Sequence, residues 1–412
     1  MQYTKQTENS IYAMLLFLVW PFFSMLLAFY KYRESWAKNI LWMFVAFYGY
    51  TMVIESSEVD AGRYRDQFIE MATTGTTTNI VTDLYAKDSD HVDLLNPILV
   101  KVVSLFTDNY KILFLTYGLI FGFFLSRNFW LLLDRTENAV TIIGLLLLIV
   151  FFVINPIWNI NGFRFYAGSQ IFVYGALIYF FKGKKSGVYI ALSAILVHFS
   201  FMIPMAIFFI YRVLGNRLTL YFYIFIASLF ISELNLESVR DNLLVISPVV
   251  FEQRIEGYTN EEYRERLEAS YEGANWYVLL RTKALKYSIY IFLIVLYWRF
   301  RNFFKNKKLL YGLFSFVLLF YGIANIISSI PSAGRFITVA SGLAIALLYL
   351  SLQLKHDETT NIIIKATMPA LLLYVIVVIR IGFDTMGVTT ILGNPLIALF
   401  MDEDIPLINL IK

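Results

Sequence analysis

Apolar runs of roughly 16 to 24 residues recur in this chain from Ile11 to Arg380, and no soluble core could hide so many of them. In a bilayer a helix satisfies its own backbone groups, so such runs predict helices packed on helices. The composition agrees: 58% of the 412 residues are hydrophobic and only 16% are charged, where soluble domains carry about 25% charged. The expected fold is an all-α polytopic integral membrane protein, with residues 1–412 forming a single transmembrane domain. The first run begins at Ile11 without a basic leader or small-residue cleavage site, so it reads as a span and not a cleaved signal.

The spans are placed at about 11–30, 39–54, 110–126, 139–157, 165–181, 219–234, 284–300, 309–330, 336–354 and 362–381. Loops rich in Lys and Arg should face the cytoplasm. The basic breaks are Lys31 to Lys38, Arg127 with Arg135, Lys182 to Lys185, Arg212 with Arg217, Arg299 to Lys308, and Lys355 with Lys365. These alternate correctly only if 186–213 enters and returns to the same side. As one helix that segment would be about 42 Å long, against a core of roughly 30 Å. A broken or re-entrant pair is expected, with the break near His198, Ser200 and Pro204. The total is about 10 full spans plus the broken segment, or 12 spans. Two larger loops, 55–109 and 235–283, then face outward with the Asn155–Arg164 turn, the Pro331–Arg335 turn and the tail after Arg380. Residues 258–270 read as a surface helix and 94–106 as an interfacial one.

Several chemistries are excluded. Cysteine is absent, so no disulfide or thiol nucleophile exists, and three histidines (His91, His198, His356) make a multi-histidine metal site improbable. No cofactor motif, phosphate-cradling glycine loop or ATP-hydrolysis motif appears. A net charge of +4 is explained by the cytoplasmic loops and implies no nucleic acid partner.

The candidates lie on the outward side, where the charge rule disfavours arginine. Arg164 and Arg335 each sit where a span begins. A guanidinium grips phosphate bidentately, so the two could hold a lipid-linked diphosphate; the plainer reading is snorkelling to headgroups. His198 interrupts an apolar stretch, where an imidazole is costly without a role; it is either an acid–base group or a packed ring bonded to a carbonyl. Asp60, within E-S-S-E-V-D-A-G-R-Y-R-D-Q-F, is either a weak base or hydrogen-bond partner toward a sugar hydroxyl or part of a solvated loop with local ion pairs. Tyr64 and Phe68 offer faces to sugar or lipid.

The pattern resembles the EpsG / Wzy-like family of exopolysaccharide and O-antigen polymerases. The resemblance rests on D-A-G-R-Y-R-D-Q-F from Asp60, on N-G-F-R from Asn161 to Arg164 with Ala167, on H-F-S from His198, and on the Pro331–Phe336 turn that carries Arg335. It implies inverting, metal-independent glycosyl transfer on the outer face of the bacterial cytoplasmic (inner) membrane. The substrate would be a polyprenyl-diphosphate-linked oligosaccharide, such as an undecaprenyl diphosphate, and a chain-length regulator protein would be a candidate partner. It implies His198 or Asp60 as catalytic group, with Arg164, Arg335, Arg63, Tyr64 and Asn161 binding substrate. The rivals are a lipid-linked oligosaccharide flippase, a membrane acyltransferase using His198, and a polymer ligase of similar chemistry. A flippase would favour inverted repeats and broken helices in both halves, and only one break is evident.

Overall fold

The computed structural model describes residues 2–74, 93–136, 140–231, 240–241, 244–245 and 275–411. The expected surface helix over 258–270, most of the second large loop, His91, Arg254, Arg264 and Arg266 lie outside them. Among the described residues there is no strand, only isolated bridges joining Met52 to Met386 and Gly387 to Pro406. The helices are α1 (Gln2–Val19), α2 (Pro21–Tyr30), α3 (Ala37–Tyr50), α4 (Asp60–Thr74), α5 (Leu95–Ser104), α6 (Tyr110–Leu133), α7 (Ile142–Ile154), α8 (Phe163–Lys182), α9 (Ser186–Val197), α10 (Met202–Leu214), α11 (Leu218–Ser228), α12 (Trp276–Lys305), α13 (Lys308–Ile327), α14 (Arg335–Leu354), α15 (Glu358–Gly382), α16 (Val388–Leu392) and α17 (Pro395–Phe400).

Among the described residues, five stretches are long and apolar enough to cross a membrane: Tyr110–Leu133, Ile142–Lys182, Lys308–Ile327, Arg335–Leu354 and Glu358–Gly382. Several shorter apolar helices accompany them, the pattern of a polytopic membrane protein. Some expected boundaries shift. The span at 11–30 is two helices, because Pro21 at the first position of α2 has no N–H to continue α1. The span at 219–234 ends as a helix at Ser228, and the one at 284–300 begins earlier, at Trp276.

The basic breaks meet at one end of the molecule. Trp130 donates to the Tyr32 carbonyl at 2.9 Å, Arg127 to Asn39 at 2.8 Å and Arg135 to the Phe181 carbonyl at 3.1 Å. Arg299 grips Asp357 with Nε at 3.2 Å and Nη2 at 2.8 Å. Gly183, Arg212, Asn216 and Lys308 line one shared cavity. The Arg135–Phe181 bond also sets the end of α6 beside the end of α8, with the Asn155–Gly162 turn at the opposite end of α8.

The segment 186–213 is broken as expected. Helix α9 stops at Val197, His198 is extended (φ −150°, ψ 120°), a 3-10 turn covers Phe199–Phe201, and α10 follows. Both arms root at the same level of α8. Gly187 lies against Tyr179 near the start, and the Arg212 guanidinium stands 5.5 Å from the Tyr179 ring near the finish. The tip reaches Phe165, whose ring meets His198 edge-on at 5.8 Å. The segment therefore returns to the end it left.

Glycine permits the two closest packings. A Cβ on Gly175 would stand 2.4 Å from the Ala191 nitrogen, which lets α9 lie directly on α8. On α6, Gly118 and Gly122, four residues apart, let α3 approach until a Cβ at Gly118 would fall 2.6 Å from the Val45 carbonyl. Small residues at this spacing are the usual means of close helix association where lipid supplies no hydrophobic drive. The interior between α8, α10 and α13 is filled by aromatic rings, with Phe180 stacked on Phe316 at 5.3 Å and Phe208 edge-on to Phe316 at 5.1 Å.

Candidate active site

The turn that carries Arg164 is held from inside the bundle. Asn128 donates to the Gln170 carbonyl and to its side-chain oxygen, at 2.9 and 2.8 Å. Gln170 donates to the Asn155 carbonyl at 3.1 Å, and Asn155 to the Tyr166 carbonyl at 3.0 Å. These buried amides would be costly if unpaired. Their chain fixes the strand of sequence entering the 3-10 turn Ile157–Gly162 against the start of α8, which Phe163 opens by stacking on Tyr117 at 4.0 Å.

Arg164, the next residue, is 30% exposed and makes two side-chain bonds. Its Nε donates to the Tyr64 hydroxyl at 2.9 Å, and its Nη1 to Asp93 Oδ2 at 3.2 Å. Burial pushes the Tyr64 phenol up, against the opposing pull of Arg164, so it stays neutral and accepts through its oxygen. Nη2 has no acceptor among the described residues.

Asp93 is the centre of the arrangement and only 3% exposed. Besides Arg164, its Oδ1 accepts from the Phe199 N–H at 2.8 Å and lies 3.5 Å from His198 Nδ1. The same Nδ1 is 3.3 Å from the Ser200 N–H. Nδ1 thus accepts the Ser200 N–H and stands close to the Asp93 carboxylate. The Leu94 N–H bonds the Leu196 carbonyl at 3.2 Å, which fastens the 93–94 segment to the tip of the broken pair.

Arg335 joins from the far side. Its guanidinium lies 5.4 Å from the centre of the Phe165 ring, the ring that His198 also meets. Among the described residues it has no carboxylate partner. The turn before it holds Ser332 at φ 64°, a left-handed backbone that non-glycine residues seldom adopt and that recurs at functional sites.

The structure thus gathers Arg164, Tyr64, His198 and Arg335 around Phe165 and Asp93. Asp60 and Arg63 stand at the margin. They pair with each other one turn apart on α4, 38% and 65% exposed. Asp60 Oδ2 would be 3.6 Å from a Cβ at Gly162, so it borders the same turn. Asn161 accepts the Ala61 N–H at 3.0 Å and so ties that turn to the first turn of α4. Sequence reasoning missed Asp93. It lies in the first large loop among many acids, 105 positions before His198, and its one local signal is a position directly ahead of the apolar run that becomes α5.

Among the described residues, no group of three or more His, Cys, Asp or Glu side chains is arranged to hold a metal ion. No curated protein and no solved structure matches the chain. The profile of the EpsG family matches residues 55–389, a range that holds every member of this cluster. With that match running from the loop of Asp60 past Arg335 and over most of the length, the chain belongs to the EpsG family.

Proposed function

We propose that this protein is a membrane glycosyltransferase that polymerises lipid-diphosphate-linked oligosaccharide units. The family points to an exopolysaccharide-related polymerase. The observation that carries the finer reading is the buried Asp93 carboxylate, which joins an arginine to a histidine in one cluster. In this reading the chain lies in the bacterial cytoplasmic membrane, with ten full spans and the 186–213 pair as a re-entrant hairpin. The Lys- and Arg-rich end faces the cytoplasm and the cluster faces out.

Arg164 and Arg335 hold the diphosphate of the donor and neutralise the charge that grows on it as it departs. Among the described residues the Nη2 edge of Arg164 has no acceptor and the Arg335 guanidinium no carboxylate partner, and these are the groups available for this. An acceptor sugar hydroxyl attacks the anomeric carbon from the face opposite the diphosphate. Its oxygen forms the new glycosidic bond, the carbon–oxygen bond to phosphate breaks, and the configuration inverts. The hydroxyl proton passes to His198 Nε2 in the tautomer that carries its own proton on Nδ1; there Nδ1 exchanges the Ser200 N–H for the Asp93 carboxylate, which steadies the imidazolium that forms. Asp60, marginal and paired with Arg63, contacts sugar hydroxyls in this scheme, with Tyr64 and Asn161 shaping the wall. A chain-length regulator would act from outside this cluster.

The test is a purified-protein reaction with the lipid-linked repeat unit. A ladder of lengthened products is expected from the wild type and none from Arg164→Ala or Arg335→Ala. Lysine should rescue either position poorly, because it supplies charge without the planar fork. A full ladder from both alanine variants would sink the diphosphate role. A flippase would instead move the lipid-linked unit across vesicles without lengthening it.

A further inference from the structure

A second cavity, of about 460 Å³, opens beside α4, where Arg65 lines it and Arg164 does not. Ligand pockets run from about 300 to 1,000 Å³, so the size is apt for sugar residues. It is formed where the chain after α3 and the start of α6 meet the segment that follows α15. The Val53 N–H bonds the Thr385 carbonyl at 3.0 Å, and Thr51 bonds Thr390 at 2.7 Å. Lys111 closes the wall by donating to the Met401 carbonyl.

The lining divides into committed and uncommitted groups. Arg65 is spent on the Ile54 carbonyl at 3.1 Å and Ser57 at 3.0 Å, and Asp404 on the Thr389 and Ile405 N–H groups. Glu55, Asp402 and Glu403 make no hydrogen bond or ion pair among the described residues, and they share the cavity with Tyr50 and Tyr110. Acceptor carboxylates beside tyrosine faces suit a polyhydroxylated ring, which offers O–H donors at its edge and C–H bonds on its face. The same carboxylates repel a diphosphate.

We infer that this cavity is a glycan subsite for the sugar end remote from the diphosphate, a reading that rests on the proposed glycosyl transfer. Neutral or amino sugars fit it, and strongly acidic ones do not. Tyr64 and Arg65 are adjacent on α4, so one helix parts the diphosphate cluster from the sugar cavity. Ala398, Met401, Asp402 and Glu403 lie beyond the matched range 55–389. Two of the three uncommitted acids are therefore supplied from outside the part of the chain that the family profile describes, and these two set which repeat unit this protein accepts.

The probe is lipid-free oligosaccharide released by hydrolysis from the producing strain's own exopolysaccharide. Its binding to the purified full chain is followed by saturation-transfer NMR titration. Dissociation constants at least about tenfold weaker are expected for the double variant D402N/E403Q and for E55Q, since each loses charge-assisted bonds to hydroxyls. Thermal melting shows whether each variant is folded, and the two variants alter different walls. Binding as tight as wild type in both would overturn the subsite. If wild-type protein binds the oligosaccharide, the variants weaken it, and no ladder forms from the lipid-linked unit, then the subsite stands and the glycosyl-transfer reading fails.

Discussion

Asp93 has three partners and one charge to share among them. Arg164 takes one oxygen, while the Phe199 N–H and His198 take the other. Asparagine can keep the oxygen that accepts from Phe199 but loses the charge that faces the guanidinium and the imidazole. Asp93→Asn should therefore stay folded, with a melting temperature near wild type, while turnover falls by about 100-fold, the low end of what acid–base catalysis contributes. Asp93→Ala leaves the Phe199 N–H without its partner as well, at about 1–3 kcal/mol, so it should lose stability and turnover together. Turnover and melting measured on the same detergent-solubilised samples check both; wild-type turnover in the asparagine variant would remove Asp93 from the mechanism. The arginines and the histidine were legible in the sequence because charge and imidazole are conspicuous against hydrocarbon. Asp93 was not, because one acid in an acidic loop looks like any other until a tertiary contact selects it.

At the scale of elements, the start of α15 is set by a single side chain. Asp357 caps the helix by accepting the Thr360 N–H at 3.0 Å, and it is gripped by Arg299 from α12. The hydrogen bond from Arg299, aided by Thr360, holds the Asp357 carboxyl well below the usual range. A carboxyl depressed in the folded state stabilises fully above its unfolded value, and this is lost as pH falls through the folded one. Asp357→Ala should cost about 1 kcal/mol from the cap alone. Its deficit in melting temperature should stay constant from pH 8 to about 4 and shrink only at lower pH. A deficit that disappears near neutrality would contradict the pairing. Elements like this were partly visible beforehand. Hydropathy located the long helices, but Pro21 divided the first span, and helix ends set by tertiary partners moved by several residues.

For the whole molecule, the decisive question is which loops share a side. Charge alternation anticipated that 186–213 must return to the end it leaves, and Tyr179, touched by both Gly187 and Arg212, shows the same return. The chain has no cysteine, so single cysteines report without background. Introduced separately at Lys185 and Asn216, they should react with a membrane-impermeant maleimide only after the cytoplasmic face is opened, and a cysteine at Asp402 should react in intact cells. Labelling at 216 from outside would reject the hairpin.

The broken pair behaves as a cantilever. Its root is clamped where Gly175 and Gly187 bring backbone against backbone, and its tip is moored by the carboxylate of Asp93 and the Leu94–Leu196 bond. Cutting the mooring leaves the clamp intact, so the beam keeps its place in the bundle while its end drifts. Damage to the 93–94 segment should then resemble a misaligned instrument more than a broken one: a protein that inserts, folds and accumulates normally, and aims its imidazole at the wrong atom.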